Sequence, residues 1–196
     1  MKLKNTFFLA LLAFVTFAFA GKGTDYKIVN GQSKVTWVGK KVAGEHSGAI
    51  KIAQGKLTSN GKNITGGTFT LDMTSISNTD ITDAKYNQQL VGHLKNEDFF
   101  ATDKYPTSTL AITKVTKAKN GQYLINGDLT IKGIKKPITF PATVTHAGNQ
   151  IIAKAAIKVD RTAYDIKYGS GSFFDNLGDK AIDNEFILNV DLVAQK

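Results

Sequence analysis

The sequence contains no cysteine among its 196 residues. This absence excludes disulfides, thiolate metal ligands and a cysteine nucleophile. The chain must therefore obtain its stability from a hydrophobic core without covalent cross-links.

Histidine is also scarce, and its spacing is not that of a metal site. His46, His93 and His146 are the only histidines, and none forms a His-x-x-x-His or Glu-x-x-His pair. A zinc site needs two or three such ligands that converge with a carboxylate, so we predict no metal. His46 and His146 are expected on the inward face of strands, at a cavity wall or a rim. His93 is expected to order the end of a helix by hydrogen bonding.

Motifs for nucleophilic catalysis are missing too. The run Gly169-Ser170-Gly171-Ser172 lacks the strand-to-helix Gly-x-Ser-x-Gly arrangement that exposes an activated serine. It also lacks the Lys and the Ser or Thr that end a phosphate-binding loop, so a flexible loop is expected. We predict that the protein is not an enzyme and uses no cofactor.

One long hydrophobic run is present, and it lies near the N-terminus. Two lysines precede an apolar stretch from Phe7 to Ala20, which closes with a small-x-small pattern that begins at Ala18. Such a run is typical of a secretory signal peptide and is shorter than a membrane span of about 20 residues. We expect residues 1–20 to be a signal peptide and residues 21–196 to be one domain. An uncleaved anchor is the alternative.

The signal peptide implies a periplasmic or secreted protein with no stable membrane insertion. With Lys2 and Lys4 removed, the 25 basic and 16 acidic residues leave a net charge of +7, spread from Lys22 to Lys196. A dispersed excess of lysine is typical of a solvated surface, and no basic helix or RNA-binding signature occurs. We therefore predict no nucleic-acid partner. A looser affinity for anionic lipid and a homodimer stay open.

Apolar residues recur at alternate positions through most of the remaining chain, which is the pattern of half-buried strands. About eight such strands can be drawn. The pairs Asn60-Gly61, Asn120-Gly121 and Gly148-Asn149 favour short hairpins, so neighbouring strands should be antiparallel. A sandwich or a closed barrel satisfies this pattern, and closure removes exposed edges. We predict an all-β fold, a single antiparallel eight-stranded barrel.

One segment interrupts the strand pattern. Leu90 and Leu94 have helical spacing after a polar start at Asp83, and Asn96 is a suitable N-cap for a further short turn. We predict a short helical insert at about residues 82–102, which ends in paired phenylalanines. Its apolar face must be buried, so the insert should close an end of the barrel or cover an edge.

Small residues occur on the predicted inward face of the barrel. They are Gly39, Gly48, Gly67, Gly127, Ala142, Ala153 and Ala155. An eight-stranded barrel either fills with side chains or holds one small ligand, and small inward residues favour a cavity. The alternative is that the glycines mark bulges and bends of a strongly curved sheet.

Several short segments, in this order and spacing, are similar to those of a known family. They are Ser33-Lys34-Val35-Thr36-Trp37, Gly44-Glu45-His46-Ser47-Gly48, His93 to Phe100 with Tyr105-Pro106, Gly127 to Gly133, and Asp160-Arg161 with Tyr164 and Ile166. With them the chain resembles the YceI-like family of secreted, lipocalin-like barrels over nearly all of its expected mature length. One departure is Asp165, where the family usually has glycine, and this concerns the local backbone.

The resemblance implies binding of polyisoprenoids and related long-chain lipids. We predict a non-catalytic, exported carrier or sequestering protein that holds a long apolar ligand, a polyisoprenoid or a fatty-acid-like lipid, inside the barrel. The alternative is an envelope stress-related interaction protein that uses the barrel as a scaffold. The residues predicted to line the cavity or its mouth are Trp37, His46, Ile50, Phe69, Leu71, Leu94, Phe99, Phe100, Ile125, Leu129, Phe140, Ala142, Ala155, Ile157, Arg161, Phe186 and Leu188.

Arg161 continues the inward alternation of Ile157 and Val159 to the end of its strand. Its guanidinium should lie near the barrel mouth, where it could bind an anionic or amide head group. Alternatively, it pairs with Asp160, Asp165 or another carboxylate and holds the following loop. A buried charge without any partner is too costly to keep, so some partner must exist.

The signal peptide gives the first testable prediction. Intact-mass measurement of exported protein should show that residues 1–20 are absent, because a secretory signal peptide is cleaved after its small-residue site. A mass that includes the first twenty residues would contradict this prediction and favour an anchored protein.

Overall fold

The computed structural model describes residues 23–118 and 122–196. The expected signal peptide and the predicted Asn120-Gly121 turn lie outside the described residues. The strands are β1 Thr24–Ile28, β2 Lys34–Lys41, β3 Gly44–Ser59, β4 Ile64–Asn78, β5 Thr107–Lys117, β6 Tyr123–Ile131, β7 Ile134–Ala147, β8 Gln150–Asp160 and β9 Ile182–Gln195. One α-helix, α1, spans Ala84–Lys95, and short 3-10 turns span Asn30–Gln32, Arg161–Tyr164 and Gly178–Lys180.

The strands form a closed antiparallel barrel with eight positions around its wall. From β2 the hydrogen-bonded order runs through β9, β8, β7, β6, β5 and β4, and both β4 and β2 pair with β3. All of these pairings are antiparallel. The predicted eight-stranded barrel with a helical insert is therefore confirmed, and closure leaves no long unpaired edge.

The ninth strand arises because one position in the wall is divided between β1 and β2. β1 pairs with the last residues of β3 and β9, whereas β2 pairs with the first half of β3 and the rest of β9. At the break, the Ser33 hydroxyl donates to the Val193 carbonyl at 3.2 Å and accepts from the Val193 amide at 3.0 Å. The Val29 amide donates to the same Val193 carbonyl at 2.8 Å, so one side chain and one backbone amide bridge the break.

A bulge in β3 changes which residues face the core. The register against β4 shifts between Ile52 and Gln54, so one residue of β3 is left without a partner. Ile50 and Ile52 are buried before the shift, and Leu57 and Ser59 are buried after it. A single alternating pattern therefore cannot describe the whole strand.

The two ends of the barrel are closed differently. Short turns at residues 60–63 and 148–149 close one end, here called the hairpin end. Helix α1 and residues 161–181 connect strands at the other end, here called the helix end. Within the described ranges, no helix has both the length and the apolar character that a membrane crossing requires.

The helical insert forms as its sequence indicates. The Asp83 carboxylate caps α1 by accepting hydrogen bonds from the amides of Lys85 at 2.9 Å and Tyr86 at 3.1 Å. After the helix, the Asn96 side chain accepts from the Asp98 amide at 2.9 Å and starts a further turn. The half-buried Leu90 and Leu94 pack against the barrel core, so α1 contributes the apolar face of a lid.

At three inward glycines, neighbouring atoms lie so close to the backbone that a Cβ would not fit, and the glycines do not face empty space. A Cβ on Gly67 would lie 2.7 Å from the Lys56 carbonyl oxygen, and one on Gly127 would lie 2.7 Å from that of Ala111. A Cβ on Gly48 would collide with the Ser77 carbonyl oxygen and lie 2.6 Å from Nε1 of Trp37. The expectation that small inward residues indicate a cavity is therefore wrong for these glycines, which serve strand curvature and the seating of an indole ring.

Gly48→Ala should lower the free energy of unfolding by about 2 kcal/mol or more, because the strand must move to relieve the overlap. Gly66→Ala is the matched control, since the nearest atom to its new Cβ would be the Ile112 carbonyl oxygen at 3.9 Å. Urea unfolding of both variants measures the difference. Equal stability of the two variants would contradict the close packing at Gly48.

Candidate functional site

An apolar cavity lies inside the barrel, and every strand from β2 to β9 contributes to its wall. This barrel cavity has a volume of about 100 Å³. Phe69, Leu71, Leu110 and Ile112 point inward but are only half-buried, which is expected where side chains face unfilled space. Unlike the inward glycines, Ala142, Ala153 and Ala155 do line this cavity, as the sequence predicts.

The wall of the barrel cavity offers very little polarity. Thr109 and Lys154 belong to it but are exposed on the outer surface, where the Lys154 ammonium pairs with Asp191 at 2.9 Å. Within the described ranges, Ser108 is the one buried polar residue of the lining, and it is 5% exposed. Its hydroxyl oxygen has no hydrogen-bond partner among the described residues.

A second cavity lies at the helix end, between α1 and strands β2, β3 and β9. This helix-side cavity has a volume of about 220 Å³. Its apolar wall includes Trp37 and Ile50, and its rim carries charged side chains such as Lys40, Asp183 and Glu185. It thus combines an apolar floor with a charged margin.

Each of the seventeen residues predicted from the sequence lines one of these two cavities, and none lines both. Those in the barrel cavity are Phe69, Leu71, Ile125, Leu129, Phe140, Ala142, Ala155, Ile157 and Leu188. Those in the helix-side cavity are Trp37, His46, Ile50, Leu94, Phe99, Phe100, Arg161 and Phe186. The expected single space is therefore two spaces, and ligand contact by these residues stays a prediction.

Aromatic side chains form the cover of the helix-side cavity. The ring of buried Phe99 meets that of His93 edge-on with centroids 4.9 Å apart, and it lies 5.5 Å from Tyr168. Phe100 meets Phe186 edge-on at 6.2 Å. These contacts join the turn after α1 to residues 161–181 and to β9, so the paired phenylalanines hold the lid on the barrel.

Two histidines line the helix-side cavity, and each is bonded to a carboxylate. Nδ1 of His46 lies 2.8 Å from Oδ2 of Asp80, and Nε2 of His93 lies 3.1 Å from Oδ2 of Asp98. The second bond agrees with the interpretation that His93 orders the helix junction. His146 is exposed at the end of β7. It therefore lies at the rim of the barrel and not on the cavity wall.

Asp80 joins the start of β3 to the end of β4. Burial by itself would raise the pKa of this carboxyl, but hydrogen bonds from His46, the Ser47 amide and Asn78 outweigh it and hold the pKa below its usual range. The carboxylate is therefore charged at neutral pH and fully engaged in structure. Within the described part of the chain, no group of three His, Asp or Glu side chains is arranged to hold a metal ion.

Arg161 is buried, with 4% of its surface exposed, and it binds backbone carbonyls rather than a carboxylate. Nε donates to Asp183 at 2.9 Å, and Nη2 donates to Ile182 at 3.0 Å. Nη1 donates to Ile166 at 2.8 Å and to Tyr168 at 2.9 Å. The geometry therefore supports the alternative prediction, in which Arg161 holds the following loop. Its partners are four backbone carbonyls and not the expected carboxylate.

The same loop accounts for the departure from the family pattern at Asp165. This residue has a φ of 58°, in the left-handed region that glycine adopts most readily. Asp tolerates this region better than most residues. Its carboxylate also pairs with Lys167 at 2.8 Å, and that hydrogen bond lowers the pKa of Asp165. Asp165 thus adopts the left-handed backbone conformation that glycine would adopt at this position.

The sequence interpretation missed several wall residues, for different reasons. Leu110, Ile112, Val144, Val190 and Leu192 lie on the recognised alternation and could have been selected from it. Leu57 lies beyond the bulge in β3, which shifts the alternation by one residue. Ser108 carries no signal, because alternation identifies apolar residues and not a polar residue on the apolar face.

Comparison with known proteins identifies relatives over most of the chain. The family model described as the YceI-like domain matches residues 26–194. A UPF0312 protein of Photorhabdus laumondii is 28% identical over 104 residues, which cover 53% of each chain. Another from Vibrio parahaemolyticus is 42% identical over 57 residues, 29% of this chain and 30% of that protein. The aligned parts thus span about half or less of the length of these curated relatives.

Solved structures show the same architecture. Burkholderia cenocepacia BcnA is similar with a TM-score of 0.69 and 25% identity, covering 86% of this chain and 99% of that one. A polyisoprenoid binding domain from Saccharophagus degradans, implicated in plant cell wall breakdown, gives a TM-score of 0.63 at 14% identity, with 87% and 97% covered. At that identity the second likeness shows the fold alone.

The contacts of Arg161 predict a structural role. Arg161→Met and Arg161→Lys should each lower the free energy of unfolding by about 3 kcal/mol or more, because neither side chain can serve four fixed carbonyls. Lys158→Met is the control, since its exposed ammonium lies 3.7 Å from Glu185 and should contribute less than about 1 kcal/mol. Thermal and urea unfolding measure both effects. Unchanged stability of Arg161→Met, with selective loss of ligands that carry anionic heads, would instead support head-group binding.

Proposed function

The chain belongs to the YceI-like domain family, and from this premise we propose that it is an exported, non-catalytic protein that takes the long apolar chain of a lipid into the barrel cavity. The observation that carries the proposal is the cavity wall, to which all eight barrel positions contribute apolar side chains. Apolar side chains that face a cavity lack van der Waals contacts on that side, and an apolar ligand would supply these contacts.

The small volume of the cavity favours a hydrocarbon chain over a bulky ligand. At about 10–15 Å³ for each water position, a space of about 100 Å³ corresponds to about seven to ten positions. Such a space suits a slender hydrocarbon chain better than a folded or polycyclic molecule. The polyisoprenoid class is supported by the description of the Saccharophagus degradans domain, and a fatty-acid-like chain would satisfy the same wall.

The helix-side cavity would receive the part of the ligand that projects from the barrel cavity. It is apolar beneath α1 and carries both basic and acidic side chains, which are Lys40, Lys41, His46, Asp183 and Glu185. Amphipathic lipids have this order of properties along their length. We propose that this end of the barrel is the mouth and that α1 and the paired phenylalanines form its lid.

Export completes the proposal. The N-terminal apolar run supports delivery of the mature protein to the periplasm or to the medium, where a lipid needs a protein to shield it from water. The two His–carboxylate pairs each have a structural explanation in the junctions that they join, which supports binding without chemistry.

A second candidate function is an interaction protein that uses the barrel as a scaffold, as in the envelope-stress alternative. The observation in its favour is a set of exposed aromatic side chains at the helix end. Phe173 and Phe174 are about half exposed, and Tyr86 and Tyr168 lie at the same end. Large exposed apolar residues at one end of a domain are typical of a contact surface.

Ala155→Trp separates the two candidates, because the indole ring would fill the barrel cavity. We expect lipid recovered with the purified variant to fall to background while the barrel stays folded. Ala156→Trp is the matched control, since the next residue of β8 is exposed on the outer wall and should leave the lipid content unchanged. Native purification followed by mass spectrometry of the organic extract measures lipid, and thermal melting measures the fold.

A wild-type protein that yields no lipid, even after incubation with long-chain lipid vesicles, would contradict the proposed function. Strong destabilisation of Ala155→Trp by about 1–3 kcal/mol or more, with no lipid in the wild type, would show a packed core and favour the scaffold.

A further inference from the structure

The barrel cavity contains one polar atom that its apolar character does not explain. Ser108 lies in the wall and is 5% exposed as a residue, and its buried hydroxyl oxygen has no hydrogen-bond partner among the described residues. Leaving a buried hydroxyl unpaired costs about 1–3 kcal/mol. An apolar residue of similar size would avoid that cost, so a partner from outside the chain is the physical expectation.

We infer that Ser108 binds an uncharged oxygen of the ligand, a carbonyl, ether or hydroxyl oxygen, inside the barrel cavity. This inference rests on the proposed function and extends it, because it assigns a polar contact to a residue that otherwise belongs to an apolar wall. It also narrows the ligand class from long apolar chains to long chains that carry oxygen near one end.

The oxygen must be uncharged because nothing in the described cavity wall could neutralise a charge. The ammonium of Lys154 is outside the barrel and engaged by Asp191 at 2.9 Å. The guanidinium of Arg161 lines the other cavity and is bound to four carbonyls. Burial of a phosphate or carboxylate beside a single neutral hydroxyl would be far too costly.

A water molecule is a poorer partner than a ligand oxygen. Buried waters typically make about three hydrogen bonds and need two to four polar partners. Among the described residues, Ser108 has the only buried polar side chain of the lining. The backbone of Ser108 lies in the ladder between β5 and β4, opposite Leu71. A carbonyl or ether oxygen needs a single donor, which is what one serine hydroxyl supplies.

The position of Ser108 also gives the ligand a direction. Ser108 is the second residue of β5, near the helix end, and lies opposite Leu71 of β4. Further along β5, Leu110 and Ile112 continue the wall toward the hairpin end. An oxygen held at Ser108 therefore places the hydrocarbon chain toward the hairpin turns and leaves the head near the mouth.

The test compares Ser108→Ala with the wild type, using delipidated mature protein and two probes matched in chain length. The probes are a long straight-chain hydrocarbon and the methyl ketone of the same length, and affinities are measured by displacement of a fluorescent fatty probe. The wild type should prefer the ketone, and Ser108→Ala should reduce that preference about three- to tenfold while its hydrocarbon affinity stays the same. Unliganded Ser108→Ala should melt at the same temperature or higher.

Ser59→Ala is the matched control. Ser59 is also buried, but its hydroxyl donates to the Asn63 carbonyl at 3.0 Å and accepts from the Gly61 amide at 3.1 Å. This variant should therefore melt at a lower temperature and keep the wild-type ratio of ketone to hydrocarbon affinity.

Three results would overturn the inference. An unchanged ratio in Ser108→Ala, with both probes bound by the wild type, would refute the contact and leave the proposed function intact. Tighter binding of both probes by Ser108→Ala would show that the hydroxyl holds water which the ligand must displace. Failure of both probes to bind the wild type would overturn the inference together with the proposed function.

Discussion

Closure of the sheet is the constraint on which the rest of this structure depends. β3 pairs with β4 along most of its length and with β2 near its start, so the wall has no free edge. Eight positions force strong curvature, and glycines such as Gly67 and Gly127 allow neighbouring backbones to approach where a Cβ would not fit. Curvature in turn leaves an interior wide enough for a slender cavity and too narrow for a large one.

Two buried polar groups show opposite solutions to the same physical problem. Arg161 lies at the helix end, where it meets the carbonyls of Ile166 and Tyr168 and of the first two residues of β9, and its planar fork supplies four donors at once. Burial lowers the pKa of Arg161 while Asp160 and Asp183 raise it, and the carbonyls stabilise its charge. Ser108 lies in the wall of the barrel cavity, and its hydroxyl has no hydrogen-bond partner in the part of the chain that the structure describes.

The two cavities bear on how a long ligand would be held. Met73, Ile131 and Val159 are buried in the same core cluster and line neither space. A ligand that occupied both cavities would have to separate packed side chains. The half-buried residues that line the cavities have room to change rotamer and so to make way for it. The length of hydrocarbon chain that the barrel can hold therefore depends on how readily its core side chains rearrange. Family membership does not specify that length.

The amino-acid sequence by itself determined most of the strands, their antiparallel pairing and the capped helical insert, because alternation, turn residues and caps act over a few neighbouring residues. It favoured a closed barrel over a sandwich without deciding between them. It also placed all seventeen selected side chains on the inner surfaces. Only the tertiary structure decided that one position in the wall is divided between β1 and β2, that these side chains occupy two spaces, and that Ala142 faces a cavity while Gly48 receives an indole. The partners of Arg161 and the isolation of Ser108 were decided there too. Periodicity reports which face a residue occupies, whereas the distance between buried groups depends on bulges, register and contacts between remote segments of the chain.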